Sequence, residues 1–185
     1  SVVPLEDMPL ALKRAVIAIE DERFYRHHGV DPRGIARAAL RNIQAGGVSQ
    51  GGSTITQQLA KNMFLSADRT FTRKGQEALL ALVLEYRFDK DRLLEAYLNE
   101  VYFGQDQQRS IHGVGMASQF FFGQDASQLN LAESALLVGM LKAPSRYNPR
   151  RHPERAKQRR DLVLNLLAEQ GVISEEEARA ARRLP

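Results

Sequence analysis

Apolar residues recur at spacings of three and four along almost the whole chain, and strict alternation of apolar with polar residues is nearly absent. The first pattern places side chains on one face of an α-helix, whereas alternation is typical of a β-strand. We therefore expect a mainly α-helical fold. Glycine and proline divide the pattern into helices over about 9–25, 32–45, 54–65, 71–87, 90–102, 113–122, 129–142, 153–170 and 174–183.

The composition is that of a globular domain and not that of a disordered chain. The 185 residues are 43% hydrophobic and 26% charged, and they contain no cysteine, which excludes disulfides and thiolate metal sites. The longest apolar stretches, 78–86 and 135–144, are shorter than the roughly 18 residues that cross a bilayer, so we interpret both as core helices. Because the chain starts at Ser1 without a methionine, we expect an excised or processed domain, so that any membrane anchor would lie outside it.

The chain carries a moderate excess of positive charge. Its 26 lysines and arginines against 22 acidic residues give a net charge of +4 and a pI of about 9.6, which suits an anionic partner. Arg33, Arg37 and Arg41 follow helical spacing, and further basic residues crowd the segment 146–160. A solvated surface explains both groups, and a surface that faces a membrane or a polyanion is the alternative.

An acidic cluster follows the apolar residues 15–19. Glu20, Phe24 and His27 stand four and three residues apart, so they would share one face if the helix continued that far. A carboxylate at the edge of a core has its charged form disfavoured, which makes Glu20 a candidate general acid or base. A solvated helix end explains the cluster equally well. A metal site fits less well, because His27 and His28 are adjacent and would point apart on a helix.

A glycine-rich approach leads into a predicted helix at 51–62. Thr54 and Gln57 have the spacing of a capping box, and Thr54, Gln58 and Lys61 form a polar stripe that ends in a cation. Hydroxyl, amide and ammonium groups at a helix N-terminus suit a phosphate, although the spacing is not that of a P-loop. A capped amphipathic helix without a ligand is the simpler interpretation. Its apolar face would comprise Ile55, Leu59 and Met63.

Two cations and a carboxylate lie close together in the segment 70–88. Glu77 follows Arg73 by four residues and Lys74 by three, which ordinary helical ion pairs explain. The functional alternative is a carboxylate oriented between two cations that hold a pyrophosphate, and spacing does not decide between them. Two later segments are interpreted as structural. Their predicted core residues are Leu93, Leu94, Tyr97, Leu98 and Val101 in the first and Leu162, Val163, Leu166 and Leu167 in the second.

Five segments, in this order, resemble motifs of the glycosyltransferase domain of class A penicillin-binding proteins, the peptidoglycan glycosyltransferases. The motifs are E-D-x-x-F-x-x-H-x-G at 20–29, G-G-S-T-[IL]-T-Q-Q-L-x-K-N at 51–62, R-K-x-x-E at 73–77, K-[DE]-x-[IL]-L-E-x-Y-[LM]-N at 90–99 and R-x-x-L-V-L at 159–164. The segment 104–115 departs from the G-x-G-x-Y-G type of many members and looks more like the 1b-type bacterial proteins. Five ordered motifs make the resemblance specific.

The resemblance implies a lysozyme-like helical fold, with a single domain over 1–185 and a smaller membrane-associated jaw subdomain at about 30–72. It implies an inverting glycosyltransferase that polymerises lipid II into β-1,4 glycan strands and releases undecaprenyl pyrophosphate. The implied location is the extracytoplasmic, periplasmic face of the bacterial cytoplasmic (inner) membrane. The implied partners are lipid II, the growing glycan strand, the membrane surface, a fused transpeptidase domain and other cell-wall synthesis proteins, but no nucleic acid.

The resemblance also implies roles for individual residues. Glu20 would be the general base that takes the proton of the acceptor sugar hydroxyl. Glu77 would be a second catalytic residue that orients the cations or binds Mg²⁺ or Mn²⁺, and no organic cofactor is expected. Lys61, Arg73 and Lys74 would hold the pyrophosphate. The remaining substrate-binding residues would be Asp21, Phe24, His27, Ser53, Thr54, Gln57, Gln58 and Asn62.

Two other functions fit parts of the sequence. A lysozyme or lytic transglycosylase would use Glu20 as an acid to cleave glycan, but it needs no pyrophosphate-binding cations such as Arg73 and Lys74. A nucleic-acid-binding module would suit the basic pI, but it should show stacking aromatics between basic residues or a recognition helix. The arginine runs here are broken by prolines. We therefore expect the glycosyltransferase.

Overall fold

The computed structural model describes residues 2–45, 52–64 and 71–185, and these residues are mostly helical. Two 3₁₀ helices, at Leu5–Asp7 and Ala126–Gln128, and a two-stranded sheet accompany the α-helices in the described ranges. The α-helices are α1 Leu10–Glu20, α2 Pro32–Ala45, α3 Ile55–Phe64, α4 Phe71–Arg87, α5 Lys90–Glu100, α6 Gly113–Phe122, α7 Leu131–Met140, α8 Pro153–Glu169 and α9 Glu175–Arg182. The mainly α-helical prediction is confirmed, and α2, α4 and α6 begin and end at the predicted residues.

The first helix ends at Glu20, about five residues earlier than predicted. The following residues form turns, in which the N–H of Phe24 donates to the carbonyl of Asp21 at 2.9 Å. The Asp21 carboxylate bonds to the N–H of Ile55 and to the ring of His27, outside the helix. Side-chain bonds of this kind compete with helix continuation, and periodicity does not reveal them. Glu20, Phe24 and His27 would share one face only if the helix continued to residue 27, and this condition is not met.

The sheet is a β-hairpin that the periodicity did not predict. Strand β1 (Tyr102–Asp106) pairs antiparallel with β2 (Arg109–His112), with a register shift between Tyr102 and Gly104. Gln107 occupies the turn with a φ of 54°, in the left-handed region that tight hairpin turns require. Strands of five and four residues with an irregular pairing are too short to show a clear alternation, which explains the missed element.

The first of two compact units comprises residues 1–19 and 98–185. Its helices α7, α8 and α9 pack together. Gly139 of α7 permits a close approach of α8, since an added Cβ would lie 2.9 Å from Cγ of Arg159. The stretch 135–144 contributes to the core as predicted. Its buried apolar residues are Ala135, Leu137, Val138 and Met140.

Burial along α8 and α5 tests the remaining core predictions. Leu162 of α8 is 46% exposed, so its predicted burial is wrong, and Leu166 is half-buried. Compared with the prediction, the buried face of α8 is shifted by one residue. This face is determined by the packing of α8 against α7. It contains Val163, Leu164 and Leu167. The predicted core residues of the earlier segment, Leu93, Leu94, Tyr97, Leu98 and Val101, are all buried.

The second compact unit comprises residues 20–97, and within it α3 packs against α4. The prediction that 78–86 is a core helix is wrong, because only one face of α4 is packed against the rest of the protein. A continuous run of apolar residues does not indicate which face of a helix will be buried. Ala81 and Leu84 are buried. Met63 of α3 is also exposed, contrary to its predicted place on the apolar face. The exposed apolar residues of α4 are Leu79, Leu82, Val83 and Tyr86.

Two broader predictions concern membrane and domain organisation. In the described ranges, the helices are all too short or too polar to span a bilayer. That the 185 residues form a single domain with a jaw at about 30–72 stays a prediction. The described part of that predicted jaw belongs to the second unit.

Candidate active site

Glu20 is the last residue of α1, and its side chain is half-buried. The helix approaches it through the buried residues Ala15 and Val16. Burial first, and then the charges of Glu20 and Asp21, raise the pKa of the Tyr97 hydroxyl well above its ordinary value of 10.0. Tyr97 therefore stays a protonated hydrogen-bond donor beside two carboxylates.

Asp21 joins the turn that follows α1 to the beginning of α3. Its Oδ2 accepts from the backbone N–H of Ile55 at 3.0 Å and lies 2.6 Å from Nε2 of His27. The first N–H groups of a helix lack partners within the helix, and a carboxylate there is also favoured by the helix dipole. Both side chains are buried, so the turn and the helix start are held together away from water.

The ring of His27 is oriented by its own turn. The N–H of Gly29 donates to Nδ1 at 3.0 Å, so this nitrogen carries no proton and the ring donates to Asp21 through Nε2. Gly29 has a φ of +112°, and an added Cβ would lie 2.9 Å from the carbonyl oxygen of Ala81. Phe24 is fully buried and packs edge-on against His27, with ring centroids 6.1 Å apart. The rings of Phe24 and His27 therefore meet, although no continuous helix brings them there.

The capping box predicted at the start of α3 is confirmed. The Gln57 N–H donates to Oγ1 of Thr54 at 3.0 Å, and the Thr54 N–H donates to Oε1 of Gln57 at 2.9 Å. The Thr54 hydroxyl also donates to the carbonyl of Gly29 at 2.6 Å. Both side chains are buried and bonded to backbone groups. Their contacts in this structure therefore serve to hold the helix start.

The outer part of α3 carries three more predicted substrate-binding residues. Gln58 is half-buried, and its Oε1 accepts from the hydroxyl of Tyr97 at 2.9 Å. Lys61 is half-buried and Asn62 is exposed. An amide and an ammonium one turn apart on a helix face present donors that suit an anionic ligand.

A second cluster contains Ser53, Lys74 and Glu77. The Lys74 ammonium donates to Oγ of Ser53 at 2.8 Å and to Oε1 of Glu77 at 3.3 Å. The Lys74 side chain is 55% exposed, whereas that of Glu77 is 4% exposed, so a buried carboxylate binds a lysine whose side chain is largely exposed. Arg73 is half-buried, and its guanidinium donates to Oε1 of Gln76 at 2.6 Å.

The structure therefore gathers the predicted residues into two groups within the second unit. One group surrounds Asp21 and the start of α3, and the other surrounds Glu77 on α4. In a comparison with known proteins, a family model described as Transglycosylase matches residues 1–168. The chain belongs to the transglycosylase family. This confirms the identification of the chain as an enzyme domain of the kind found in class A penicillin-binding proteins.

Several penicillin-binding proteins are similar to this transglycosylase domain. Penicillin-binding protein 1B of Haemophilus influenzae is 53% identical over 94% of this chain and 22% of its own length. The 1B protein of Escherichia coli K12 is 48% identical over 94% of this chain and 21% of its own length. A crystal structure of penicillin-binding protein 1A from Haemophilus influenzae matches with a TM-score of 0.59 and 26% identity, over 100% of this chain and 17% of that one. The chain thus spans about a fifth of the length of the curated relatives it matches.

The predicted divalent ion would be bound at Glu77. Among the residues that the structure describes, no three His, Asp or Glu side chains converge as ligands. Glu77 offers one carboxylate, and its Oε1 already accepts from the Lys74 ammonium. An ion bound by Glu77 together with the diphosphate of the substrate stays a prediction, and the mechanism proposed below contains no step through one.

Three residues beside the candidate site were not predicted, namely Thr56, Glu85 and Lys90. The Lys90 ammonium and the Thr56 hydroxyl both donate to Oε2 of Glu85, at 2.8 and 2.7 Å. Lys90 also lies 3.4 Å from Nδ1 of His27 and 4.6 Å from the centroid of the Phe24 ring. Lys90 is the first residue of the fourth motif, and this was the available signal, but in the sequence analysis that segment is interpreted as mainly structural.

Proposed function

We propose that this domain polymerises lipid II into β-1,4 glycan strands and releases undecaprenyl pyrophosphate, with inversion at the anomeric carbon. Family membership supports this reaction, and one observation carries the assignment to residues. The Ile55 N–H donates to the Asp21 carboxylate at 3.0 Å. This bond joins the residue after Glu20 to the helix that carries Gln58 and Lys61. A candidate base and candidate anion donors thus belong to directly connected segments.

In the proposed reaction, Glu20 removes the proton from the 4-hydroxyl of the acceptor sugar. The acceptor oxygen bonds to the anomeric carbon of the donor, and the bond between that carbon and the pyrophosphate oxygen breaks. The electron pair leaves with undecaprenyl pyrophosphate, and attack from the opposite face converts the α-linked donor into a β-linkage. The half-burial of Glu20 supports this role, because partial desolvation makes a carboxylate a better proton acceptor.

The leaving pyrophosphate gains negative charge as the bond breaks, so cations fixed beside it lower the barrier. We propose that Lys61, Arg73 and Lys74 supply this charge. Lys74 suits the task because its side chain is largely exposed while Ser53 and Glu77 hold its ammonium in place. Glu77 then acts by orienting an ammonium group.

The lipid substrate determines where the domain works. An undecaprenyl chain requires a membrane, so we propose that the domain acts at the extracytoplasmic face of the bacterial cytoplasmic membrane. Ile35 and Leu40 on α2, within the predicted jaw, are large apolar residues exposed to solvent, which supports contact with lipid. Since the chain spans about a fifth of the length of its relatives, we also propose a fused transpeptidase domain in the full-length protein. Other cell-wall synthesis proteins are proposed partners.

A lipid II polymerisation assay tests the proposal with three proteins, the wild type, Glu20→Gln and Glu22→Gln. Glu22 is the matched control because it is exposed and pairs only with Arg37 among the described residues, at 3.1 Å. We expect polymer from the wild type and from Glu22→Gln. Loss of a general base lowers rates about 10²–10⁴-fold, so Glu20→Gln should lose polymerisation while keeping its circular dichroism spectrum.

Two results would overturn the proposal. Polymerisation by Glu20→Gln at the wild-type rate would remove Glu20 from the mechanism. Release of short fragments from polymerised peptidoglycan, together with failure of the wild type to use lipid II, would indicate a hydrolase on the same helical scaffold.

A further inference from the structure

Tyr97 of α5 and Gln58 of α3 are joined by a side-chain hydrogen bond. The Tyr97 hydroxyl donates to Oε1 of Gln58 at 2.9 Å. Tyr97 is fully buried, as its predicted place in the core requires. A phenylalanine would fill the same space, so packing alone does not explain the hydroxyl.

We propose that Tyr97 is a positioning residue whose hydroxyl holds the carbonyl end of the Gln58 side chain inward and so turns the amide N–H groups toward the pyrophosphate of the substrate. This inference rests on the function proposed above. Tyr97 itself touches no substrate in this arrangement and acts through Gln58.

The Tyr97 hydroxyl is the donor in this hydrogen bond, and Oε1 of Gln58 is the acceptor. Burial, and then the charges of Glu20 and Asp21, raise the pKa of its hydroxyl well above 10.0, so the proton stays on the oxygen. A hydroxyl that keeps its proton donates it to a neighbouring acceptor, which here is the carbonyl oxygen of Gln58. The amide is therefore bound at its oxygen end.

The two ends of a glutamine amide act oppositely on an anion. The NH₂ group donates to phosphate oxygens, whereas the carbonyl oxygen repels them. Within the described part of the chain, Nε2 of Gln58 has no hydrogen-bond partner, and it is not among the buried unsatisfied atoms. Lys61, one turn further along α3, adds an ammonium to the same face. An amide fixed by Tyr97 thus adds its donors to a cationic surface.

A double-mutant cycle on the 185-residue chain tests this inference with Tyr97→Phe, Gln58→Ala and the double variant. We expect Tyr97→Phe to raise the KM for lipid II roughly tenfold, about 1.4 kcal/mol, with a smaller change in kcat. In the Gln58→Ala background the same Tyr97→Phe change should alter KM less than about twofold, because its target is gone. Tyr25→Phe is the matched control, since Tyr25 also donates to a side chain, Asp91, at 2.9 Å.

The cycle separates this role from a structural one. If Tyr97 acted on Glu20 or merely on packing, the two substitutions would multiply in their effects, and that result would overturn the inference. A wild-type KM in Tyr97→Phe would overturn it as well.

A second measurement needs no activity. The side-chain amide resonances of Gln58 in ¹⁵N-labelled protein are identified by their loss in Gln58→Ala. We expect these resonances to shift in Tyr97→Phe and to stay in place in Tyr25→Phe. Unchanged resonances in Tyr97→Phe would overturn the inference. If the wild type does not polymerise lipid II, the proposed function fails, while the resonances still decide whether Tyr97 orients Gln58.

Discussion

Lys90 is the cation of a buried network, and its removal has an effect that can be estimated from the structure. Its ammonium lies 2.8 Å from Oε2 of Glu85, and the Thr56 hydroxyl donates to the same oxygen at 2.7 Å. The side chains of Lys90 and Glu85 are 18% and 7% exposed. The ion pair is therefore largely shielded from water, and the carboxylate depends on its two donors.

Lys90→Met keeps the approximate length of the side chain and removes its charge. The Glu85 carboxylate would stay buried with the Thr56 hydroxyl as its remaining donor. Breaking a buried ion pair by removing one partner costs about 3–5 kcal/mol, and the partial exposure of Lys90 lets water compensate some of this. We expect the free energy of unfolding to fall by about 2–3 kcal/mol, measured by urea denaturation followed by circular dichroism.

Two further variants make the test specific. Arg37→Met removes an ion pair with Glu22 whose side chains are 42% and 54% exposed, so it should cost about 0–1 kcal/mol. The double variant Lys90→Met/Glu85→Gln removes both charges and keeps an acceptor for Thr56, so it should recover most of the stability lost in Lys90→Met. A cost below about 1 kcal/mol for Lys90→Met, or no recovery in the double variant, would refute the reasoning.

Two other substitutions follow from local geometry. Gly29→Ala forces a Cβ into a backbone with a φ of +112°, 2.9 Å from a carbonyl oxygen of α4, so it should cost about 1–3 kcal/mol and lower the Tm. Partial burial, and then the hydrogen bond and charge of Asp91, raise the pKa of Tyr25 to about 12. Asp91→Asn removes the charge, so tyrosinate absorbance should show the Tyr25 pKa part of the way back to 10.0.

Each of these expectations has a matched comparison. Gly75 lies within α4 with no atom within 4 Å of an added Cβ, so Gly75→Ala should stabilise by about 0.5–1 kcal/mol. A Tm for Gly29→Ala equal to that of the wild type would contradict the clash. For the tyrosine, Tyr25→Phe identifies the transition that belongs to Tyr25. If that transition stayed near 12 in Asp91→Asn, Asp91 would not be responsible for its position.

The ends of a helix could be predicted where the apolar periodicity is bounded by a residue that clearly begins or ends a helix. Helix α2 begins at Pro32, which suits a first helical position, and α6 is followed by Gly123 with a φ of +64°. Helix α1 was overestimated because the side-chain bonds of Asp21 decide its end, and these reach a helix more than thirty residues away, at Ile55. Apolar periodicity continues through that point and carries no signal of the turn.

The same distinction applies to the site. The capping box of Thr54 and Gln57 could be predicted because its partners stand three residues apart. Lys90 and His27 are separated by 63 positions, so no spacing rule brings them together. The exposure of Tyr86, at 91%, was missed for a related reason, since burial depends on which helices pack against α4 and not on the hydrophobicity of α4 itself.

Two hydrogen bonds join the turn after Glu20 to the start of α3, and in both of them the start of α3 donates and the turn accepts. The turn supplies the Asp21 side chain to the backbone of α3, and Thr54 supplies its side chain to the carbonyl of Gly29. Sliding one segment past the other breaks both bonds, whereas moving the two together breaks neither. The turn and the start of α3 are therefore expected to move together as a rigid body. A motion on substrate binding that keeps these bonds moves both segments together and preserves their spacing.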